Sequence, residues 1–418
     1  MFFFTYLRSS PCRLGLATFS RLTPVALVLW VFSLHTFYSQ TTDLEVAPEA
    51  PDPIAEIGRV VESHIGLGNL PGAVVFIGHQ DTIVFERAFG NRSVEPDLET
   101  MTLDTIFDLA SLTKVVATAP SVMLLAQNGL VNLDAPVSKY LPAFGQSGKK
   151  KVTVRQLLVH YSGLPATLRQ TRRRRITAKN ALSRIYQTRL VAPSGQRFIY
   201  SDLGFVVLGK IVEKVTGQSL SHFAQEQIFS PLAMASTSFL PRPDVKHNIA
   251  PTERLREGGM LRGHVHDPLA SKLGGVAGDA GLFSTARDLA RFCRMLLQRG
   301  SLDGVAVLHP DSVTLMTSPQ SPEGKSDIRG FGWDIQSTYS SVKGSFFSST
   351  SFGHTGYTGT SLWIDPQTQT FLIILTNRVH PNGKGNVKGL RTELANIVGR
   401  MFQPVSPTTT DESGTHQP

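Results

Sequence analysis

The stretch FDLASLTKVVATAPSVMLL, residues 107–125, contains the pattern from which the organisation of this 418-residue chain can be worked out. Within it, SLTK at residues 111–114 opens an apolar run from Val115 to Leu125. If Ser111 begins a helix, Lys114 lies three residues later on the same helix face. A serine hydroxyl needs a neighbouring base to become a nucleophile, and a desolvated lysine can supply one. The pattern therefore favours a nucleophilic serine. The alternative is a surface serine and a surface lysine that match S-x-x-K by chance.

Two more short patterns follow the first, YSD at residues 200–202 and HTG at residues 354–356. Each has an ordinary structural explanation. Tyr200 could be a core tyrosine, Asp202 could be the N-cap of the helix that follows it, and His354 could be an exposed strand histidine. The three patterns carry weight together because they recur in one chain, each beside a predicted helix or strand.

Composition and charge restrict the class of protein. Hydrophobic residues make up 41% and charged residues 17% of the chain, so a sizeable core can form and the composition favours a folded chain over global disorder. Of the net charge of +9, three arginines before residue 22 contribute +3, which leaves a mild +6 for the rest. No aromatic residues interleave with either of the basic runs, residues 149–151 and 172–175, so we expect solvated edges and no nucleic-acid partner.

Several common catalytic signatures are absent from the sequence. There is no G-x-S-x-G, H-E-x-x-H, C-x-x-C or P-loop pattern. His264 and His266 stand two residues apart, but no third ligand is spaced to complete a metal site, so loop histidines are the favoured interpretation. We therefore expect neither a metal nor a cofactor.

The first 40 residues resemble an export signal, because Arg8, Arg13 and Arg21 precede the short apolar run Leu22–Phe32. The cleavage site is weak, since Phe37 is bulky, and an uncleaved membrane anchor is the open alternative. We therefore expect an exported protein, periplasmic or secreted, with anchoring to the inner membrane through this segment as the alternative.

The remaining boundaries follow from composition and pattern. Residues 41–52 are acidic and Pro-rich and are predicted to be a linker, residues 53–403 to be one folded domain, and residues 404–418 to be a disordered tail. Within the domain, β-rich runs lie near both ends and helices lie between them; the runs are residues 72–77, 83–89, 331–335, 360–364 and 370–375. This order predicts a sheet with strands from both chain ends, a helical insertion, and a cleft between them.

In order and spacing, the three short patterns resemble the S-x-x-K, Y-x-N and K-T-G or H-T-G boxes of serine β-lactamases and penicillin-binding proteins that act as D-Ala-D-Ala carboxypeptidases. The resemblance covers roughly residues 52–402. It extends to residues 107–114, 154–165, 200–217, 274–292 and 352–365. It is nearest to the class C-like branch, which includes esterases and peptidases. It implies an α/β (α+β) fold, a three-layer αβα sandwich with a mostly antiparallel sheet and a helical subdomain.

The resemblance also implies a role for each matching residue. Ser111 would be the acylated nucleophile, Lys114 its activating partner and Tyr200 a proton relay acting as a phenolate or a shared-proton base. The N–H groups of Ser111 and Tyr357 would form the oxyanion hole. Substrate contacts would come from Asp202 and, on an edge strand, from His354, Thr355 and Gly356.

Two positions depart from the family pattern. Asp202 replaces the usual asparagine and, as a carboxylate, would favour the charged ammonium of Lys114, which shifts base duty toward Tyr200. His354 replaces the lysine of K-T-G, so we expect attraction of anionic substrates that weakens as pH rises from about 6 to 8.

The expected function is hydrolysis of an ester, amide or β-lactam carbonyl through a Ser111 acyl-enzyme. The substrate would be a small molecule or a peptide, and the sequence does not choose between esterase, D-amino-acid peptidase and β-lactamase. The alternative from another class is a catalytically idle module that keeps the fold for binding or sensing.

Overall fold

The computed structural model describes residues 52–168 and 175–403. The strands are β1 (Gly72–His79), β2 (Thr82–Ser93), β3 (Glu99–Thr100), β4 (Phe107–Asp108), β5 (Ser238–Phe239), β6 (Leu282–Ser284), β7 (Ser301–Leu302), β8 (Val305–Ala306), β9 (Ile328–Arg329), β10 (Asp334–Gln336), β11 (Phe352–Thr355), β12 (Ser361–Asp365) and β13 (Thr370–Thr376). The helices are α1 (Pro53–Gly66), α2 (Ala119–Gln127), α3 (Val154–Leu158), α4 (Ala181–Gln187), α5 (Asp202–Thr216), α6 (Leu220–Ala224), α7 (Pro268–Lys272), α8 (Ala286–Leu297), α9 (Pro310–Thr317) and α10 (Lys388–Met401).

The main sheet joins strands from both ends of the chain, as the element order predicted. Its eight strands run in the order β3-β2-β1-β13-β12-β11-β10-β9, and neighbouring strands are antiparallel. β1 pairs with β13 so that Ala73 lies opposite Thr376. Alternate side chains of β1 point to opposite faces, Val74 and Phe76 to one and Val75 and Ile77 to the other, and both faces are buried.

Helices cover both faces of this sheet. α1 and α10 pack against each other and cover the face that carries Val75, Leu372 and Trp363. α8 packs on β1 and β13 at the other face, and the helical region from α2 to α6 extends the core there. The predicted three-layer αβα sandwich with an antiparallel sheet and a helical subdomain is confirmed.

Two local expectations are wrong. α5 begins at Asp202, and its N-cap is Ser201, whose hydroxyl accepts a hydrogen bond from the Gly204 N–H at 3.3 Å. Asp202 is therefore not the cap. Residues 331–335 were expected to form one strand, but the N–H groups of Phe331 and Gly332 donate to carbonyls of the helical region, so the strand is confined to β10.

A third expectation fails at the first basic run. Lys149 is fully buried, and its ammonium donates to the backbone carbonyls of Gln146, Tyr186 and Thr188, whereas Lys150 is exposed as predicted. The run therefore supplies an internal contact between the end of α4 and a neighbouring turn, which sequence periodicity did not indicate.

Some predicted features lie outside the described residues. These are the export signal or anchor at residues 1–40, all but the last residue of the linker, the first three residues of the run 172–175, and the tail from residue 404. Within 52–168 and 175–403, none of the helices has the length and apolar character needed to cross a membrane.

Candidate functional site

The candidate nucleophile lies in a strained turn at the edge of a cavity. Ser111 is in a turn of 3₁₀ helix, Ala110–Leu112, which is followed by a π-helical turn, Lys114–Thr118, that leads into α2. Ala110 has φ +46°, which is uncommon for a residue with a side chain, and its N–H donates to the Asp108 carboxylate at 2.9 Å. Backbone strain of this kind persists only where the surroundings impose it, and it is concentrated at functional sites.

Lys114 is buried beneath Ser111 and has an acceptor for each of its three N–H bonds. Its Nζ lies 3.2 Å from the Ser111 hydroxyl, 2.9 Å from the Asp279 backbone carbonyl and 2.8 Å from the Asp202 carboxylate. Burial alone would lower the pKa of Lys114, but the Asp202 carboxylate in contact with it outweighs burial and raises that pKa above its ordinary value. Lys114 is therefore an ammonium at neutral pH, as expected from the aspartate at position 202.

Tyr200 lies beside Ser111 and Lys114, and its ring is held in place by a stacking contact with His160. Its ring stacks on His160 with centroids 4.4 Å apart, and the Lys114 Nζ is 5.2 Å from its ring centre. Burial raises the pKa of Tyr200 even though Lys114 opposes the shift, so the phenol carries its proton at neutral pH. Of the two forms predicted for Tyr200, the phenolate is therefore disfavoured before substrate binds, because desolvation outweighs the neighbouring ammonium, while its role as a proton relay stays a prediction.

His160 is a supporting residue that the sequence analysis did not single out. It is buried at φ +61°, and its Nδ1 accepts a hydrogen bond from the Ser201 N–H at 3.0 Å. Burial lowers the pKa of His160 well below its usual value, so a neutral ring supports Tyr200. The ring fixes both the tyrosine and the start of α5, which carries Asp202.

His354, Thr355 and Gly356 follow the sheet edge into the same cavity. β11 is not the outermost strand, as was expected, but it pairs with β10 only through Gly353 opposite Asp334, so its end from His354 onward is open on that side. A Cβ at Gly356 would collide with the Leu109 carbonyl, which explains the glycine beside the nucleophile turn.

His354 does not behave as a substitute for a lysine. Its ring is buried and its Nδ1 donates to its neighbour's carbonyl, the Thr355 oxygen, at 2.9 Å. Burial, with help from Arg329 and Lys114, lowers the pKa of His354 well below its ordinary value. The expectation that this ring attracts anions at pH 6 and releases them by pH 8 is therefore wrong, because the ring is already neutral at pH 6.

Tyr357 presents an exposed side chain at the mouth of the cavity. Its ring stacks on His266 with centroids 5.6 Å apart, and the Arg378 guanidinium lies 4.6 Å from its ring centre. His266 is in turn 3.2 Å from Glu253. Only the Tyr357 backbone was assigned a role from the sequence, because side-chain stacking across distant segments leaves no local pattern.

Asp279 is a second acid beside Lys114 that the sequence analysis missed. Its carboxyl is buried, and burial raises the pKa of Asp279 well above its usual value. It lies in the stretch 274–292, which the sequence analysis matched to the family, and Gly278 in this stretch packs directly on the Phe205 backbone of α5. The glycines before Asp279 are the signal that could have drawn attention to it, because glycine permits such a close backbone approach.

These groups meet in one cavity of about 640 Å³. Its walls carry both charge signs and several aromatic rings. They are formed by Ala110, Ser111, Tyr200, Asp202, Glu253, His266, Asp267, Pro268, Asp279, Ala280, Arg329, Asp334, Tyr339, His354, Thr355, Gly356, Tyr357, Trp363, Arg378 and Arg391. The structure thus brings together all the residues assigned to the site, with Lys114 in contact beneath Ser111, while their catalytic roles stay predictions.

Within the described ranges, no group of three or more His, Cys, Asp or Glu side chains is arranged to hold a metal ion. His266 contacts Glu253 and Tyr357 instead. The chemistry that this arrangement can perform is attack of the Ser111 hydroxyl on an electrophile in the cavity, with proton movement through Lys114 and its neighbours.

A family model described as "Beta-lactamase" matches residues 57–397. An N-acetylmuramyl-L-alanine amidase of Bacillus subtilis strain 168 is 30% identical over 404 residues, covering 85% of this chain and 89% of the relative. A protein of Escherichia coli K12, named as a candidate D-alanyl-D-alanine carboxypeptidase, is 31% identical over 361 residues, covering 78% of this chain and 82% of its own length.

Among solved structures, EstCE1, a hydrolase with promiscuous acyltransferase activity, superposes with a TM-score of 0.68 at 22% identity, covering 83% of this chain and 98% of that one. The octameric penicillin-binding protein homologue from Pyrococcus abyssi gives 0.67 at 23% identity, covering 84% and 78%. At such identities these two structures support the fold alone.

Proposed function

We propose that this chain, which belongs to the β-lactamase family, hydrolyses an amide or ester by transferring its acyl group to Ser111 and then to water. The family contains hydrolases, and amidase and carboxypeptidase relatives match most of the chain. The observation that carries the proposal is the 3.2 Å contact of Lys114 Nζ with the Ser111 hydroxyl at the wall of the cavity.

In this proposal the substrate carbonyl lies between Ser111 and the Tyr357 backbone, whose N–H groups stabilise the oxyanion. The Tyr200 phenol, which is protonated at rest, gives its proton to the leaving group. An oxyanion hole of backbone donors is worth about 10²–10³-fold in rate per donor in enzymes of this type. No metal is needed for these steps.

The test is covalent labelling with a fluorophosphonate, followed by peptide mapping and by turnover of a chromogenic ester. One adduct on the peptide that contains Ser111, together with loss of turnover in Ser111→Ala, is expected. An adduct at another serine would overturn the assignment. A folded protein that reacts with no serine-directed probe and turns over no ester would favour the idle binding module.

The preferred substrate class is an amide between cell-wall building blocks, in keeping with the names of the two relatives. Walls that carry Glu253, Asp267 and Arg378 suit a polar, peptide-like substrate better than an apolar ester. A panel of muramyl peptides, D-alanyl-D-alanine peptides, a penicillin and simple esters tests this. The highest kcat/KM on a simple apolar ester would contradict it.

Action outside the cytoplasm is part of the proposal and rests on the arginines and apolar run within residues 1–40. A reporter fused after residue 52 should be active outside the cytoplasm, and N-terminal sequencing of the product separates cleavage from anchoring. A full-length cytoplasmic product would refute export without touching the proposed chemistry.

A further inference from the structure

Lys114 cannot take the Ser111 proton in the state in which the structure holds it. An ammonium has three N–H bonds and no lone pair, and all three point to acceptors, namely the Ser111 hydroxyl, the Asp279 carbonyl and the Asp202 carboxylate. For Lys114 to accept a proton from Ser111, it must release another one. The release must go to a group that touches its nitrogen.

We propose that Asp202 is the terminal acceptor of the Ser111 proton, with Lys114 as the relay between them, so that serine, lysine and aspartate act as one unit. This inference rests on the proposed function. The carboxylate oxygen of Asp202 is 2.8 Å from Nζ, and the hydroxyl of Ser111 is 3.2 Å from the same nitrogen. Both transfers are therefore within direct hydrogen-bond reach.

The other groups around Lys114 are less suited to receive the proton. Tyr200 already carries its own proton, because burial raises its pKa. Asp279 meets Lys114 through its backbone carbonyl and not through its carboxyl. The rings of His160 and His354 are weak bases, since burial lowers the pKa of each well below its usual value.

The proton and electron balance closes without any further reactant. The Ser111 oxygen forms a bond to the carbonyl carbon, and the carbonyl electron pair moves to its oxygen. The Ser111 proton goes to Lys114 while Lys114 gives a different proton to Asp202, so one negative charge moves from the carboxylate to the oxyanion. When the bond to the leaving group breaks, Tyr200 protonates it, Lys114 restores the phenol, and Asp202 returns its proton to Lys114.

The proposal makes the pH dependence of acylation diagnostic. The groups that face the Lys114–Asp202 pair are Ser111 on its turn, Tyr200 before α5, Asp267 and Asp279 on either side of α7, His160 after α3 and His354 on β11. If Lys114 had to lose its own proton before it accepted one from Ser111, the rate of acylation would rise with pH through the neutral and alkaline range, because the pKa of Lys114 is raised. A relay that ends on Asp202 needs no such loss. The rate of acylation in wild type should therefore be constant through neutral pH.

The experiment measures the rate of fluorophosphonate labelling at Ser111 from pH 4 to pH 10 in full-length wild type, Asp202→Asn and Asp202→Glu. Asp202→Asn should lose about 10²–10⁴-fold at pH 7, the usual worth of a general base. Its rate should rise with pH between pH 7 and pH 10, because Lys114 must then lose its own proton first. Asp202→Glu should keep the rate constant through neutral pH, as in wild type.

Three controls make the outcomes separable. Asp311→Asn, an exposed aspartate at the start of α9, should behave as wild type. Asp279→Asn should change the pH profile less than Asp202→Asn does. A melting curve for each variant confirms folding. If Asp202→Asn is labelled at the wild-type rate and with the wild-type pH profile, the relay alone is overturned, whereas no labelling of Ser111 in wild type at any pH would overturn the proposed function.

Discussion

Two lysines in the described part of the chain, Lys114 and Lys149, are fully buried, yet the two ammonium groups differ in what surrounds them. Lys149 donates to three backbone carbonyls at 2.7–2.9 Å and has no carboxylate among these contacts. Lys114 has one carbonyl, one hydroxyl and the carboxylate of Asp202. The Lys149 ammonium joins segments of the fold, whereas the Lys114 ammonium contacts the candidate nucleophile, Ser111.

The difference in partners appears directly in the two pKa values. Burial lowers the pKa of Lys149 to about 8. Burial acts in the same direction on Lys114, but Asp202 and its neighbours overcome it and raise the pKa of that lysine. Desolvation alone therefore does not mark a functional lysine in this molecule, whereas a carboxylate in contact with the ammonium does.

The largest expected effect is a loss of catalytic rate on substitution of Lys114, with no comparable loss on substitution of Lys149. Lys114→Met keeps the length of the side chain and removes the relay between Ser111 and Asp202, so kcat/KM for a chromogenic ester should fall by about 10²–10⁴-fold or more. The partly exposed Asp202 carboxylate stays solvated, so stability should change little. Steady-state kinetics and a urea titration measure both quantities, and turnover near the wild-type level would abolish the distinction drawn between the lysines.

The second prediction is the opposite result for Lys149: its substitution should lower stability and leave the catalytic rate unchanged. Lys149→Met removes the ammonium donor from the carbonyls of Tyr186 and Thr188, whereas the Gln146 carbonyl keeps the backbone N–H of residue 149. An unsatisfied buried acceptor costs about 1–3 kcal/mol. The free energy of unfolding should fall by at least that amount while kcat/KM of the folded enzyme stays at the wild-type level. Lys150→Met, at the exposed neighbour, is the matched control and should change neither. A stable but slow Lys149→Met protein would mean that this lysine also serves the site.

The smallest effect is a pH dependence of stability. Folded Lys149 releases its proton near pH 8, whereas an unfolded lysine holds it to about 10.4, so between these values the unfolded chain binds more protons. Stability from this group therefore rises with pH across the window. Lys114, whose pKa is raised, contributes no change there and loses its contribution only at higher pH.

The measurement for this third prediction is a set of urea titrations at pH 8, 9 and 10 for wild type and Lys149→Met. The gap in unfolding free energy between the two proteins should widen as pH rises. The window ends at pH 10 because burial raises the pKa of nearby Tyr186 to about 12, and that phenol affects stability above this pH. A gap that narrows with pH would show that Lys149 is held as a charged group.

Sequence patterns predicted most of the fold and the membership of the site. Alternation along β1 and β13 and the order of strands and helices lead to the three-layer architecture, since such periodicity depends only on which faces are buried. The boxes at residues 111–114, 200–202 and 354–356 predicted which segments meet in the cavity.

What the sequence did not predict depends on distances between segments remote along the chain. Asp279 meets Lys114 across 165 positions, and the ring of His160 supports Tyr200 from a different loop. Burial decides whether His354 is charged and whether Lys149 is solvated. The identity of neighbouring residues in the sequence does not reveal that burial. The acid at position 202 is visible in the sequence, but its contact with Lys114 depends on how the two segments fold together.

The pairing of β1 with β13 also has a consequence for how the protein is made. Ala73 and Thr376 are about three hundred residues apart, so this pairing has a very high contact order. A nascent chain on the ribosome exposes the edge of β1 until nearly all of the domain has been translated, and α10 can then pack against α1. The turn that carries Ser111 therefore emerges early, but the cavity around it is complete only when translation is almost finished. A chain truncated before β11 would contain Ser111 but not the residues that complete the cavity.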